Sequence, residues 1–144
     1  MKSEKGITLT SLVIYVIGIT IIFAVVANLT IYFNKNSRTI EYTTNNSAQI
    51  TRLNQYLIND TKKENAQITE ANENIIIIIQ ANGETIKYTY DKNSKGIYRN
   101  KVKIANDVQS LEIKKDIIYD KTKLLLNITI GMQEQIQKDL EYII

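Results

Sequence analysis

Side chains that commonly carry enzyme chemistry are absent from this 144-residue chain or scattered along it. There is no histidine and no cysteine, which excludes histidine-based metal sites and both Ser-His-Asp and Cys-His nucleophilic catalysis. Carboxylates remain, and four of them, Glu112, Asp116, Asp120 and Glu134, could in principle do acid–base work. Nothing in their spacing makes them converge. Solvated strand and loop charges are the favoured interpretation, and no enzyme activity is expected.

One short segment partly imitates a calcium-binding loop. Asp91 and Asn93 offer oxygen ligands at its first and third positions, and Gly96 stands at its sixth. However, Lys95 occupies the fifth position, where an oxygen is required, and Val102 the twelfth, where a bidentate glutamate belongs. The segment is interpreted as a polar β-turn. Neither a metal ion nor a cofactor is expected.

The charges of the chain are close to balanced. Eighteen Lys and Arg residues face fifteen Asp and Glu residues, which gives a formal net charge of +3. This excess is too small to indicate a nucleic-acid partner. The absence of cysteine also excludes a disulfide framework in an external domain.

The element that organises the chain is an uncharged apolar segment of twenty-seven residues, Ile7–Phe33. As a helix it would rise roughly 40 Å, which exceeds the bilayer core of about 30 Å. Tyr15 and Tyr32 lie toward its two ends, as in an aromatic belt. Its hydroxyl side chains are expected to bond back to helix carbonyls. The pattern predicts a transmembrane helix rather than a buried soluble helix or a short secretory signal.

The residues before this segment add a processing motif. A short basic leader ends in Gly6, and the junction reads Lys5-Gly6-Ile7-Thr8-Leu9-Thr10. This resembles the class III signal of type IV prepilins and type II secretion pseudopilins. The resemblance implies that a prepilin peptidase cuts between Gly6 and Ile7 on the cytoplasmic side and N-methylates Ile7. It also implies a cytoplasmic N-terminus and a C-terminal domain outside.

The junction departs from the family pattern at two positions. The first mature residue is Ile7, where the family usually has Phe or Met, and the fifth is Ser11, where it usually has Glu. The resemblance implies that this Glu pairs with the α-amine of a neighbouring subunit, because a buried unpaired charge is costly. Ser11 cannot form that ion pair. A subunit at a filament tip has no neighbour above it, so Ser11 favours a minor pseudopilin over a major pilin.

The helix is expected to continue beyond the membrane. Polar residues follow Phe33 without Pro or Gly to end it. A helical apolar stripe comprises Tyr42, Ile50, Leu53 and Leu57, with Ile58 beside it. We therefore predict one helix from about residue 7 to about residue 60. The alternative is a juxtamembrane linker followed by a separate short helix.

Beyond residue 65 the apolar period changes to two, which is typical of strands. The isoleucine run Ile75–Ile79 predicts a buried strand, and Asn82-Gly83 a hairpin turn. Further strands are predicted at residues 86–90, 97–104, 108–113 and 124–130. Residues 133–144 fit either a helix or a last strand. Tyr88, Tyr90 and Tyr98 are interpreted as cross-strand packing pairs rather than a binding face.

The predicted fold is α+β: a long N-terminal transmembrane helix, about 7–60, packed on a small antiparallel β-sheet domain. The expected divisions are a leader (1–6), a transmembrane and assembly helix (7–33), a helix extension (34–62) and an extracytoplasmic β domain (63–144).

The functional hypothesis is a pilin-like structural subunit of a type II secretion, competence or type IV pilus machine. Its expected partners are the membrane, other pilin-like subunits and a prepilin peptidase. The alternative is an uncleaved single-pass membrane protein whose outer domain is a sensor or a ligand binder.

Overall fold

The computed structural model describes residues 9–72, 75–81 and 83–144. They form one helix and eight strands: α1 (Leu9–Thr61), β1 (Gln67–Glu70), β2 (Ile75–Ala81), β3 (Glu84–Asp91), β4 (Gly96–Arg99), β5 (Val102–Ala105), β6 (Val108–Ile118), β7 (Lys121–Ile130) and β8 (Ile136–Ile143). The chain divides into two compact units, one up to Ile40 and one comprising Glu41–Ile144.

α1 confirms the prediction of one long helix. It runs without interruption through the polar residues after Phe33, so the alternative of a linker and a separate helix is wrong. It ends at Thr61, whose hydroxyl donates to the carbonyl of Leu57 at 2.7 Å. Asn65 follows in the left-handed region at φ 58°. The predicted start at Ile7 lies outside the described residues.

The strands β1 to β5 form a five-stranded antiparallel sheet in sequential order. β2 contains the isoleucine run, and Ile79 is fully buried. Ala81 pairs with Glu84, so the predicted hairpin stands between them. Gly83 has the positive φ, 78°, that such a turn requires, while its neighbour Asn82 is not among the described residues.

The single strand predicted at residues 97–104 is wrong. The structure has two strands there, β4 and β5, joined by Asn100 and Lys101. Both residues have positive φ, 46° and 72°, which defines the type I′ turn of a two-residue hairpin. The turn contains no Gly, so the sequence pattern did not reveal it. Strand β1 is also absent from the prediction, because four residues are too few to show alternation.

The strands β6 to β8 form a second antiparallel sheet of three strands, where a single sheet was expected. β6 and β7 are joined by another turn of two positive-φ residues, Tyr119 and Asp120. β8 resolves the ambiguity of residues 133–144 in favour of a strand. Leu140 and Tyr142 are buried, whereas Ile143 is 63% exposed, so the burial alternates as in a strand.

One core joins the last turns of α1 to both sheets. Its α1 members are Ile50, Leu53 and Leu57, as the helical stripe predicted, whereas Tyr42 is 41% exposed. The sheets contribute Ile68, Ile79, Ile86, Tyr88, Ile97, Ile104, Ala105, Val108, Leu124, Leu126, Ile128, Ile130, Leu140 and Tyr142. The fold class is therefore α+β, with two small antiparallel sheets.

Candidate functional site

The most unusual surface of the molecule is the apolar part of α1, residues 9–33. Its large side chains are exposed: Leu9 is 80% accessible, Phe23 71% and Ile31 67%. Exposed apolar surface of this extent marks contact with a membrane or with another protein. Within the described part of the chain, α1 is long and apolar enough to cross a membrane.

Two hydroxyl side chains of this segment donate hydrogen bonds within the helix. Thr20 donates to the carbonyl of Val16 at 2.8 Å, and Thr30 donates to that of Val26 at 2.9 Å. Both bonds confirm the expected pattern of hydroxyls bonding one turn back. They remove the free-energy cost of placing these two hydroxyls in an apolar medium.

The residues predicted for processing precede this segment in the sequence. Gly6 and Ile7 are outside the described residues, so the cleavage and N-methylation site stays a prediction. Ser11 lies in α1, two residues after its first described residue, and its side chain is exposed. It therefore shares the exposed apolar surface of residues 9–33.

The segment that imitates a calcium loop is a polar turn, as predicted. Asp91 accepts hydrogen bonds from the Asn93 amide at 2.9 Å and from the Ser94 hydroxyl at 2.7 Å. These bonds, the one from Ser94 first, lower the pKa of Asp91. Lys95 extends its ammonium to Gln109 at 2.9 Å. No group of three or more His, Cys, Asp or Glu residues that could hold a metal occurs within the described ranges.

The four candidate carboxylates are exposed and are spread along the three-stranded sheet. Asp120 lies in the turn at one end of the β6–β7 hairpin, whereas Glu134 follows β7 at the other end. Ten strand residues separate these ends, a distance of about 33 Å. Asp120 and Glu134 cannot act on one substrate. Glu112 and Asp116 lie on β6 between them.

The three predicted tyrosine partners divide between the two faces of the five-stranded sheet. Tyr88 is fully buried on the core face, opposite Arg99. Tyr90 packs against the same core, and its hydroxyl donates to the carbonyl of Val108 at 3.0 Å. Tyr98 points to the other face. The three tyrosines therefore form no common binding surface.

A buried ionic cluster fixes the end of α1 to the five-stranded sheet. Asp60 is 2% exposed and accepts two hydrogen bonds from Arg99, at 2.7 and 2.8 Å. The Tyr88 hydroxyl also donates to Asp60. Arg99 lies over the ring of Tyr56, 5.3 Å from its centre. The carboxylate is thus satisfied from β3 and β4 at once.

The electrostatics of this cluster keep the pair ionised. Burial raises the pKa of Asp60. The hydrogen bonds from Arg99 and Tyr88, together with the charges of Arg99 and Lys63, lower this pKa by more than burial raises it, so its net value is below the ordinary one. The hydrogen bond to Asp60 raises the pKa of Arg99. Burial first, and then Asp60, raise the pKa of Tyr88 well above its usual range. None of the three groups is placed to exchange protons near neutral pH.

Three amide side chains of α1 fix the helix to the sheets. Asn46 donates to the carbonyl of Glu134 at 2.8 Å, and Gln49 accepts from the amide of Asn106. Asn54 accepts from the hydroxyl of Tyr142 at 2.6 Å. Each bond joins a different loop or strand to the helix. Together they indicate a structural role for residues 46–60.

Sequence reasoning missed the Asp60–Arg99 pair, although a signal was present. Asp60 follows Leu57 by three positions and Leu53 by seven, which places it on the apolar stripe of the helix. A carboxylate at such a position is buried and needs a cationic partner. The partner could not be identified from sequence, because Arg99 faces inward only through the register of β4.

Comparison with known proteins assigns this chain to no family. Comparison with models of protein families, with curated proteins and with solved structures finds no match.

Proposed function

We propose that this chain is a pilin-like structural subunit, a minor pseudopilin, processed at Gly6–Ile7 and assembled through its N-terminal helix. The observation that carries the proposal is the basic leader ending in Gly6, directly before an uncharged helix. The fold supports it: the exposed apolar residues 9–33 and the core residues Ile50, Leu53 and Leu57 belong to one helix, α1.

The proposed sequence of events begins in the membrane. The unprocessed chain is held in the bilayer by its apolar segment, with Lys2 and Lys5 on the cytoplasmic side. Hydrolysis of the Gly6–Ile7 peptide bond removes the charged leader and creates a new α-amine on Ile7. A sulfonium methyl donor then transfers its methyl group to this amine and leaves as the thioether. Removal of the leader frees residues 7–33 to pack laterally against the helices of other pilin-like subunits.

Ser11 restricts where such a subunit fits. Its hydroxyl can accept a hydrogen bond, but it cannot neutralise the α-amine of a subunit stacked above it. An uncompensated charge within a helix bundle is costly, since the apolar surroundings do not solvate it. A terminal position, with no subunit above, avoids this cost. We therefore place the subunit at the tip or start of a short filament.

The experiment is to co-express the full chain with a prepilin peptidase and to measure the intact mass of the membrane-extracted protein. We expect loss of residues 1–6 from the wild type and a mass increase of one methyl group on Ile7. The Gly6→Ala variant should retain its leader. Gly18→Ala is the matched control, because an added methyl there meets no atom within 4 Å, and it should be processed like the wild type.

Two outcomes contradict the proposal. An intact N-terminus in the wild type, with peptidase activity shown on a known prepilin in the same cells, identifies an uncleaved single-pass protein instead. Equal processing of the wild type and Gly6→Ala shows that cleavage does not depend on the proposed motif. Where the wild type is processed as expected, cross-linking of the processed chain to pilin-like partners through residues 7–33 tests assembly separately from cleavage.

A further inference from the structure

The compact unit Glu41–Ile144 distributes its charge unevenly. It holds equal numbers of basic and acidic residues, fourteen of each. Yet the span from Lys87 to Lys103 contains six cations, Lys87, Lys92, Lys95, Arg99, Lys101 and Lys103, and one acid, Asp91. The small net charge of the whole chain conceals this basic region, which lies on β3, β4 and β5 and in the turns that join them.

The fold places part of this region on one surface. Along β3 the buried Ile86 and Tyr88 face the core, so Lys87 and Thr89 face away from it. Thr89 pairs with Tyr98, and Tyr98 pairs with Lys103. Lys103 lies 5.9 Å from the ring centre of Tyr98. We call this outer surface, with the β4–β5 turn, the basic face.

A shallow cavity at the end of the basic face has the lining of an anion site. Its volume is approximately 380 Å³, and Lys87, Thr89, Asn100 and Lys101 surround it. The Asn100 side-chain carbonyl accepts from the Lys87 amide at 2.7 Å, which leaves its NH₂ group as the outward donor. The Asn100 amide in turn donates to the carbonyl of Lys87 at 2.8 Å. Two ammonium groups, a hydroxyl and an amide donor thus surround one fixed turn.

The one acidic residue of the region, Asp91, already accepts hydrogen bonds from its neighbours. Asp91 accepts from Asn93 and Ser94 within its own turn. Arg99 is directed inward to Asp60 and does not contribute to this surface. Lys103 interacts with the charge of Asp91, whereas the exposed Lys87 and Lys101 form no salt bridge with Asp91, the one acid of this span.

We infer that the basic face binds the phosphodiester backbone of a nucleic acid. Lys87 lies two residues along β3 from Thr89, which pairs with Tyr98 in the row that reaches Lys103. The row that holds Lys103 is therefore displaced about 7 Å along the strands from Lys87, so these two cations lie along a line rather than at one point. Ammonium groups in such a line contact successive phosphates without reading the bases.

A membrane surface fits this face less well. Interfacial membrane binding requires large aliphatic or aromatic anchors beside the cations. On β3 to β5 the basic face offers Lys87, Thr89, Tyr98 and Lys103, and the Tyr98 hydroxyl is hydrogen-bonded to Ser94 at 3.1 Å. The inference does not depend on leader cleavage, because every contributing residue lies in Glu41–Ile144.

The test uses the full chain in nanodiscs of zwitterionic lipid and a fluorescein-labelled deoxythymidine oligonucleotide, with binding followed by anisotropy. We expect binding that weakens steeply between about 50 and 200 mM salt. The triple variant Lys87→Gln, Lys101→Gln, Lys103→Gln should bind about 10- to 100-fold more weakly. Its slope of log affinity against log salt should be smaller by about 2, since each single-strand phosphate contact contributes about 0.7.

The matched control removes the same charge from the three-stranded sheet, with Lys114→Gln, Lys121→Gln and Lys138→Gln, all exposed. It should bind like the wild type, and thermal unfolding should show both triples folded. No binding by the wild type overturns the inference, and so does equal weakening by the two triples. Flotation with phosphatidylglycerol vesicles that only the first triple loses, without oligonucleotide binding, assigns the face to anionic lipid and also overturns it.

Discussion

Arg99 donates two hydrogen bonds, of 2.7 and 2.8 Å, to the two carboxylate oxygens of Asp60, and this pair joins the last turn of α1 to β4. Paired bonds of this kind combine charge with fixed geometry. The carboxylate is almost fully buried, so it depends on this partner. This ion pair is one of several contacts that fix the last turns of α1 to the sheets.

Breaking this pair should be strongly destabilising. Arg99→Ala leaves a buried carboxylate without its cation, which we expect to lower the free energy of unfolding by about 2–4 kcal/mol. Lys123→Ala is the control, because the Lys123–Glu141 pair lies on the three-stranded sheet, does not involve Asp60, and has a half-exposed carboxylate. Its loss should change stability by less than about 1 kcal/mol. Urea unfolding followed by circular dichroism measures both, and similar losses for the two variants would refute the assigned role.

The same pair predicts how stability responds to acid. The pKa of Asp60 is lower in the folded state than in the unfolded chain, so the unfolded state binds more protons as the solution is acidified. The stabilisation is complete above the unfolded value of about 4 and is lost as pH falls through the folded value. Asp60→Asn removes this contribution. Urea unfolding at a series of acidic pH values should give a shallower pH dependence for the variant, and parallel curves would contradict the prediction.

Much of the fold could be predicted from the sequence wherever a local hydrophobic pattern corresponded to a single helix or strand. The absence of charge in Ile7–Phe33 and the stripe ending at Leu57 indicated a single long helix. Strict alternation located β3 and β7. The two-sheet arrangement could not be predicted, because it depends on non-local contacts such as the bond from the Val108 amide to the Lys95 carbonyl, 3.0 Å.

The candidate functional residues also fall into two groups, those that local sequence patterns predicted and those that depend on non-local contacts. The apolar segment and its leader are local patterns, and sequence alone indicated them. The Asp60–Arg99 pair and the basic face join residues through strand register, which no local period encodes. The turn at Asn100 and Lys101 shows the difficulty: neither residue is Gly, so the hairpin that exposes Lys101 and Lys103 on the basic face was not expected.

Gly131 should tolerate no side chain. It adopts φ 117°, and a Cβ there would lie 2.2 Å from the Glu134 carbonyl oxygen and 2.5 Å from the Asn46 side-chain nitrogen. Gly131→Ala would strain the backbone and separate Asn46 from Glu134, at a cost of about 2–5 kcal/mol. Gly83→Ala is the matched control, because Gly83 has φ 78° but no atom within 4 Å of the added methyl.

The two glycine variants separate conformational strain from steric conflict. Gly83→Ala should lose only the strain of a positive φ, about 1–2 kcal/mol. The midpoints of thermal unfolding, measured by circular dichroism, should therefore fall further for Gly131→Ala. An equal fall would mean that the loop after β7 rearranges to accept the methyl group, and the predicted contact with Asn46 would be wrong.

The unit Glu41–Ile144 should fold without the apolar segment. Every buried apolar side chain in the described part of the chain belongs to this unit, from Ile50 to Tyr142. A fragment of residues 41–144 should therefore be soluble without detergent and should unfold cooperatively. A fragment of residues 62–144 is the control. It lacks Ile50, Leu53 and Leu57, and each such leucine typically contributes about 2–5 kcal/mol when buried.

Circular dichroism and size-exclusion chromatography of both fragments measure this difference. The longer fragment should be monomeric and folded, because the surface removed with residues 1–40 is the exposed apolar one. The shorter fragment should be unfolded or aggregated, since its sheets expose the face that α1 covers. If both fragments fold equally well, the last turns of α1 are not part of the core. If neither folds, the helix before Glu41 contributes to the stability of the sheets.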